Sequence, residues 1–168
     1  PEFGTPADFK KLVKSIHAQG MYVIIDWVPN HTAWDHPWTE KHPEFYKKDK
    51  DGKFVPPVPD WADVIALDYS NQQLRKEMLE AMRFWLTEYN IDGFRCDVAA
   101  MVPTDFWNDT RKELDKTKKV FMLAEAHEFE LHEKAFDMTY GWQYKDLFNE
   151  IAQGKKSVKD LDAYLNGE

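Results

Sequence analysis

Residues 21–28, Met21-Tyr22-Val23-Ile24-Ile25-Asp26-Trp27-Val28, are apolar and β-branched over the length of a strand, with one acid near the end. Unbroken apolar character, without alternation, is the pattern of a parallel strand buried on both faces. It returns at Gly93 to Val98 (GFRCDV) and at Val120 to Ala126 (VFMLAEA), and a fourth strand is read at Ala135 to Tyr140. Helical period fills the spaces between. Leu74, Met78, Ala81, Met82, Trp85, Leu86 and Tyr89 share a face after a cap at Ser70 or Asn71, and Thr104 opens a helix carrying Phe106, Trp107 and Leu114. Ahead of the first strand, Thr5 caps a helix, Pro6 suits its first position, and Phe9, Leu12, Val13 and Ile16 follow on one face as far as Gly20. Ser157 caps a last helix with Val158, Leu161 and Leu165. Helices alternating with buried strands predict an α/β fold with a parallel sheet.

The 168 residues suit one domain, and 43% hydrophobic content supports a core. With 22 basic against 30 acidic residues the net charge is −8, which argues against a nucleic-acid partner. No apolar run reaches the roughly 20 residues of a membrane span. The single cysteine, Cys96, excludes an internal disulfide and says nothing of compartment. Residues 29–68 show no clean period, and a loop that long is usually functional or a small subdomain. Trp27, Trp34, Trp38 and Trp61 crowd into residues 27–61 with six of the nine prolines. Composition leaves two readings open, a core under a proline-stiffened loop or a wall of aromatic faces lining a cleft.

Three strands carry an acid near their C-terminal ends, Asp26, Asp97 and Glu125, where parallel α/β folds place their sites. A carboxylate there is costly unless it is paired, hydrogen-bonded or put to use. Arg95, two residues before Asp97, points to the same face of its strand, so its guanidinium should hold Asp97 ionised and orient it. Glu125 must instead stay protonated to serve as an acid. Surroundings that push two carboxyl groups apart in this way underlie acid and nucleophile pairs in sugar hydrolysis. The bare pattern of three acids also fits a metal-dependent enzyme. His127-Glu128 with His132 misses the HExxH zinc helix by one residue, since five helical steps set the imidazoles about 140° apart. With only 7 Gly there is no glycine-rich phosphate loop.

In their contexts the acids are more specific. Asp26-Trp27-Val28-Pro29-Asn30-His31 resembles the first conserved region of the α-amylase family of glycoside hydrolases, DxxxNH at the end of the third barrel strand. Gly93-Phe94-Arg95-Cys96-Asp97 resembles the second, GFRxD, and Ala124-Glu125 the third. The segment after the first region is similar to the family's domain B, and Ala62-Asp63-Val64 to Leu67-Asp68 resembles its end.

The resemblance implies an α/β fold that is a partial, half TIM (β/α)8 barrel, about strands 3–6, with a small domain B insertion after the first strand present. A complete barrel typically needs about 250 residues. The expected limits are 4–168 for the partial barrel and 29–68 for the insertion, with 1–3 read as a cloning remnant. Asp97 would be the nucleophile and Glu125 the acid and then the base, with retention of configuration. Arg95 would hold Asp97, His31 would bond the sugar, Asp26 would anchor the site, and Trp34 and Trp38 would stack on glucose rings. Asn30 matches a calcium position. The family's Lys-His pair after the second region is here Ala100 and Met101, so the leaving-group side must be built differently. The fourth region, with its third catalytic aspartate, is not found. The expectation is a fragment of a retaining α-glucan hydrolase acting on α-glucan or maltooligosaccharide, weak alone, that self-associates through its open half-barrel. The alternative is a carbohydrate-binding or interaction domain without turnover.

Overall fold

The first strand is shorter than its apolar run. In the computed structural model, which describes residues 2–167, β1 covers Ile24–Trp27. Pro1, part of the stretch assigned to a cloning remnant, and Glu168 lie outside the described residues. Helix α1 (Pro6–His17) precedes β1, with Thr5 and Asp8 forming a reciprocal capping box. A small antiparallel pair follows, β2 (His31–Ala33) with β3 (Val64–Ala66), enclosing the one-turn helix α2 (Trp38–Lys41). Phe45, Tyr46, Ile65 and Leu67 are buried in this part and join the main core continuously.

The chain then alternates α3 (Gln72–Tyr89), β4 (Gly93–Cys96), α4 (Thr104–Asp115), β5 (Phe121–Ala124), β6 (Met138–Thr139), α5 (Trp142–Ala152) and α6 (Val158–Asn166). The Asn71 side chain caps α3, accepting from Gln73 N–H at 2.8 Å and Leu74 N–H at 3.2 Å. Ser157 caps α6 in a box with Asp160, as its sequence predicts. Helix α5, which no sequence reading anticipates, carries only one fully buried side chain, Leu147.

Strands β1, β4, β5 and β6 form one parallel sheet in that order, half the strand number of a TIM barrel. Phe94, Cys96, Met122 and Ala124 share the face covered by Leu74, Met78, Met82 and Leu86 of α3 and by Trp107 and Leu114 of α4. Each large side chain buried here contributes about 1.5–3 kcal/mol. The opposite face is open. Ile24, Phe121 and Met138 lie on it, 38%, 36% and 54% exposed. The expectation that the first strand is buried on both faces is therefore corrected. Ile24 to Trp27 alternate between exposed and half-buried because β1 is a sheet edge with only one covered side.

At the N-terminal ends of the strands, Asp92 ties the layers together. Its carboxylate accepts from Val23 N–H at 2.8 Å and Lys118 Nζ at 2.7 Å, and meets His17 Nε2 at 2.7 Å. Burial works against the charge, but the bonds from Lys118, Val23 and His17 outweigh it and hold the Asp92 carboxyl below its ordinary value.

Gly93 opens β4 where the neighbouring backbone leaves no room. A Cβ there would stand 1.9 Å from the Phe121 carbonyl oxygen, so β4 and β5 can pair in this register only over a bare Cα. Gly93→Ala is expected to lower stability by about 1–3 kcal/mol, the range for overpacking, measured as a lower urea midpoint with unchanged slope.

Candidate active site

Four side chains converge at the C-terminal edge of the sheet. Asp26 and Arg95 are register partners on β1 and β4, so their side chains leave the sheet on the same, open face. Asp97 follows β4 directly and Glu125 follows β5. Backbone bonds hold these strand ends level: Asp97 N–H donates to Trp27 O at 2.8 Å and Glu125 N–H to Cys96 O at 2.9 Å.

The Arg95 guanidinium touches all three acids. Its Nη1 lies 2.6 Å from Asp97 Oδ1 and 3.0 Å from Asp26 Oδ1, and its Nη2 lies 2.8 Å from Glu125 Oε1. Burial disfavours its charge, but bonds to Tyr140, Asp97 and Asp26 prevail and raise its pKa above the ordinary arginine value. With the carboxyl groups ionised, one cation faces three anions, a formal charge of −2. Such a cluster is suited to stabilising positive charge that develops on a bound group.

Val98 completes the cluster with backbone geometry that a β-branched residue rarely adopts. Its φ of 46° and ψ of 43° lie in the left-handed region, a conformation that costs of order 1–3 kcal/mol. The turn aims Val98 N–H at Glu125 Oε2, 3.0 Å away. Both Glu125 oxygens therefore meet donors. The expectation that Asp97 and Glu125 sit in opposed surroundings is corrected, because one guanidinium reaches both. Arg95 is likewise not dedicated to Asp97.

The other sequence-predicted residues are dispersed. His31 stands edge-to-face on Trp61 at 5.6 Å and beside Asn30 Nδ2 at 3.4 Å, and none of its recorded contacts is to the four-residue cluster. Trp34 is 48% exposed and anchored by Nε1 to Ala62 O at 2.9 Å, which leaves ring surface available. Trp38 is half-buried and lines a recess that Asp26 also lines. It lies edge-to-face on Phe45 at 5.3 Å and on His36 at 5.0 Å. Asn30 is buried, with its amide nitrogen next to the Met101 sulfur at 3.9 Å and the His31 ring. Calcium takes 6–8 oxygen ligands; Asn30 Oδ1 is one such oxygen, while the Met101 sulfur and the His31 ring lie beside its amide nitrogen. Among the described residues no group of three His, Cys, Asp or Glu side chains could hold a metal.

Sequence reading missed Tyr140, whose hydroxyl accepts from Arg95 Nε at 3.5 Å and whose ring centroid lies 6.0 Å from Arg95 Cζ. A positional signal existed, since Tyr140 ends the fourth expected strand as the acids end the others. A recess of about 630 Å³ lies at the other end of the sheet, lined by Tyr22, Ile24, Lys118 and Phe121 among others. Lacking the convergent acids and their arginine, it is the weaker candidate.

A family model described as the alpha amylase catalytic domain matches residues 1–60 and 59–165. The 1,4-alpha-glucan branching enzyme of Aquifex aeolicus is 34% identical over 119 residues, 66% of this chain and 17% of the enzyme. That of Bacillus cereus is 33% identical over 129 residues, 75% of this chain and 19% of the enzyme. Among solved structures, a noncanonic maltogenic alpha-amylase from Thermotoga neapolitana superposes with a TM-score of 0.89 at 42% identity, covering 96% of this chain and 38% of that one. An alpha-amylase from Lactobacillus plantarum gives 0.90 at 35% identity, with 97% and 42% covered. The chain thus spans less than a fifth of the branching enzymes it matches and about two fifths of these amylases.

Removing the shared cation isolates its role. Arg95→Met should lower stability at neutral pH by about 1 kcal/mol, because three partly exposed carboxylates then face one another with solvent screening between them. The deficit should shrink as added salt screens the repulsion. Urea titrations of both proteins at low ionic strength and in about 0.5 M salt give the comparison.

Proposed function

Because the chain belongs to the alpha-amylase catalytic-domain family, we propose that it carries the central part of a retaining centre acting on the α-1,4 bonds of a glucan. The observation that carries this reading is one guanidinium gathering Asp97 and Glu125 at the ends of adjacent parallel strands. Asp97 attacks the anomeric carbon as the bond to the leaving sugar breaks, and Glu125 gives its proton to the departing oxygen. Glu125 then takes a proton from water, which attacks the same carbon and releases Asp97. Positive charge on the sugar ring peaks between these states, and the excess negative charge around Arg95 stabilises it. Arg95 positions both carboxyl groups, and Asp26 holds the far side of the guanidinium. Only four strand ends line this half of the cleft, so turnover by the chain alone is slow.

One observation favours a second reading, sugar binding without turnover. Glu125 forms an ion pair with Arg95 through one oxygen and accepts from Val98 N–H with the other, so both oxygens are engaged by the protein itself. Reducing-sugar release from soluble starch separates the two. Turnover that falls by at least about a hundredfold in Asp97→Asn supports the catalytic reading, and full activity in that variant defeats it. Saturable maltooligosaccharide binding with no product formed supports the second.

The open sheet face supports self-association. Tyr22, Ile24, Phe121 and Met138 are exposed, and β1 and β6 each have one edge unpaired among the described residues, a surface prone to association. A second copy with its β6 edge against β1 would extend the parallel sheet toward a closed eight-stranded form. Sedimentation velocity should show a dimer or larger species, and a monomer throughout the micromolar range would contradict this.

A further inference from the structure

We propose that Trp142, supported by Tyr140 and His127, is the platform for the sugar ring on the leaving-group side of the cleavage point. The inference rests on the reading of Glu125 as the acid and assigns that sugar its place. Toward β1 the cluster presents Asp26, beside a recess that His36 and Trp38 also line, and toward β6 it presents a second group of aromatic rings. Ala124 pairs with Thr139 across β5 and β6, so Glu125 and Tyr140 follow at the same level, joined by Tyr140 N–H to Ala126 O at 2.9 Å. Tyr140 leans on Arg95, with its ring centroid 6.0 Å from the guanidinium carbon. Trp142 lies next to Tyr140, the centroids 5.3 Å apart and the planes tilted by 35°. His127, two residues beyond Glu125, meets Trp142 edge-to-face at 5.7 Å. The result is a row of rings beginning at the arginine and passing along the Glu125 side.

The ligand chemistry follows from the surface. A glucose ring has broad faces of C–H groups, polarised positive, and a rim of hydroxyls. An aromatic face carries negative quadrupole charge and suits such a partner. Trp142 is the first residue of α5 and half-buried, so its ring is fixed while part of its surface stays accessible. Ala100 and Met101 offer no charge or hydrogen-bond donor on their side chains, so a sugar beside Glu125 meets the ring faces, with the His127 imidazole and the Tyr140 hydroxyl as the polar groups of the row. The ligand class is a glucose unit of a maltooligosaccharide.

Proton–nitrogen NMR of the 168-residue chain titrated with maltotriose provides the test, with Trp142→Phe assigning the Trp142 indole signal. The Trp142 signal should shift with saturation. Trp142→Ala should weaken the Kd by about tenfold, as expected when a small apolar contact returns to water. Trp142→Phe should keep most of the affinity, and Trp142→Leu, with apolar bulk but no π face, should lose it even if the alanine variant does not fold. Unchanged affinity in Trp142→Leu, with the Trp61 indole beside His31 still shifting, overturns the platform and leaves the reading of Asp97 and Glu125 intact. No shift at any indole overturns both.

Discussion

The guanidinium of Arg95 is what three strand-end carboxylates have in common, and the top of the sheet is arranged around it. Asp26, Asp97 and Glu125 stand on separate chain segments, and each brings like charge toward the others. Without the cation, repulsion among them in a partly dry site would oppose the register that places β1, β4 and β5 side by side. With it, the strands pair in register and charge remains to act on a ligand. The main chain contributes as well. Asp97 N–H bonds to β1 and Glu125 N–H to β4, so each acid is fixed through its own backbone to the preceding strand in the sheet.

That arrangement explains two local features that would be puzzling alone. Val98 holds a left-handed backbone although it is β-branched, because the chain must leave β4 while directing an N–H at Glu125. Gly93, at the other end of the same strand, is bare because the Phe121 carbonyl fills the space of a Cβ. Strand β4 is thus constrained at its start by contact with β5 and at its end by the acids. It also has neighbours on both sides and three of its four residues buried.

Much of this was legible beforehand because it depends on local pattern. Continuous apolar runs marked three of the strands, capping residues marked Thr5, Asn71 and Ser157, and acids interrupting the runs marked the candidate centre. Composition cannot tell how much of the Trp38 ring packs on Phe45 and how much lines the recess beside Asp26, because that depends on the fold of residues 29–68. Tyr140 and Trp142 were passed over because an aromatic residue after a weak two-residue strand looks like ordinary core. Only the pairing of β5 with β6 brings them beside Glu125.

Residue type and order alone determined the α/β alternation, the family and the identity of the acids, since apolar period and carboxylate placement are properties of neighbouring residues. Tertiary structure decided that one arginine serves all three acids, that β1 is half-exposed, and that Tyr140, Trp142 and His127 gather on the Glu125 side of the site. Those facts depend on which strands lie next to each other and which face is covered, and such contacts join residues as far apart as Asp26 and Arg95.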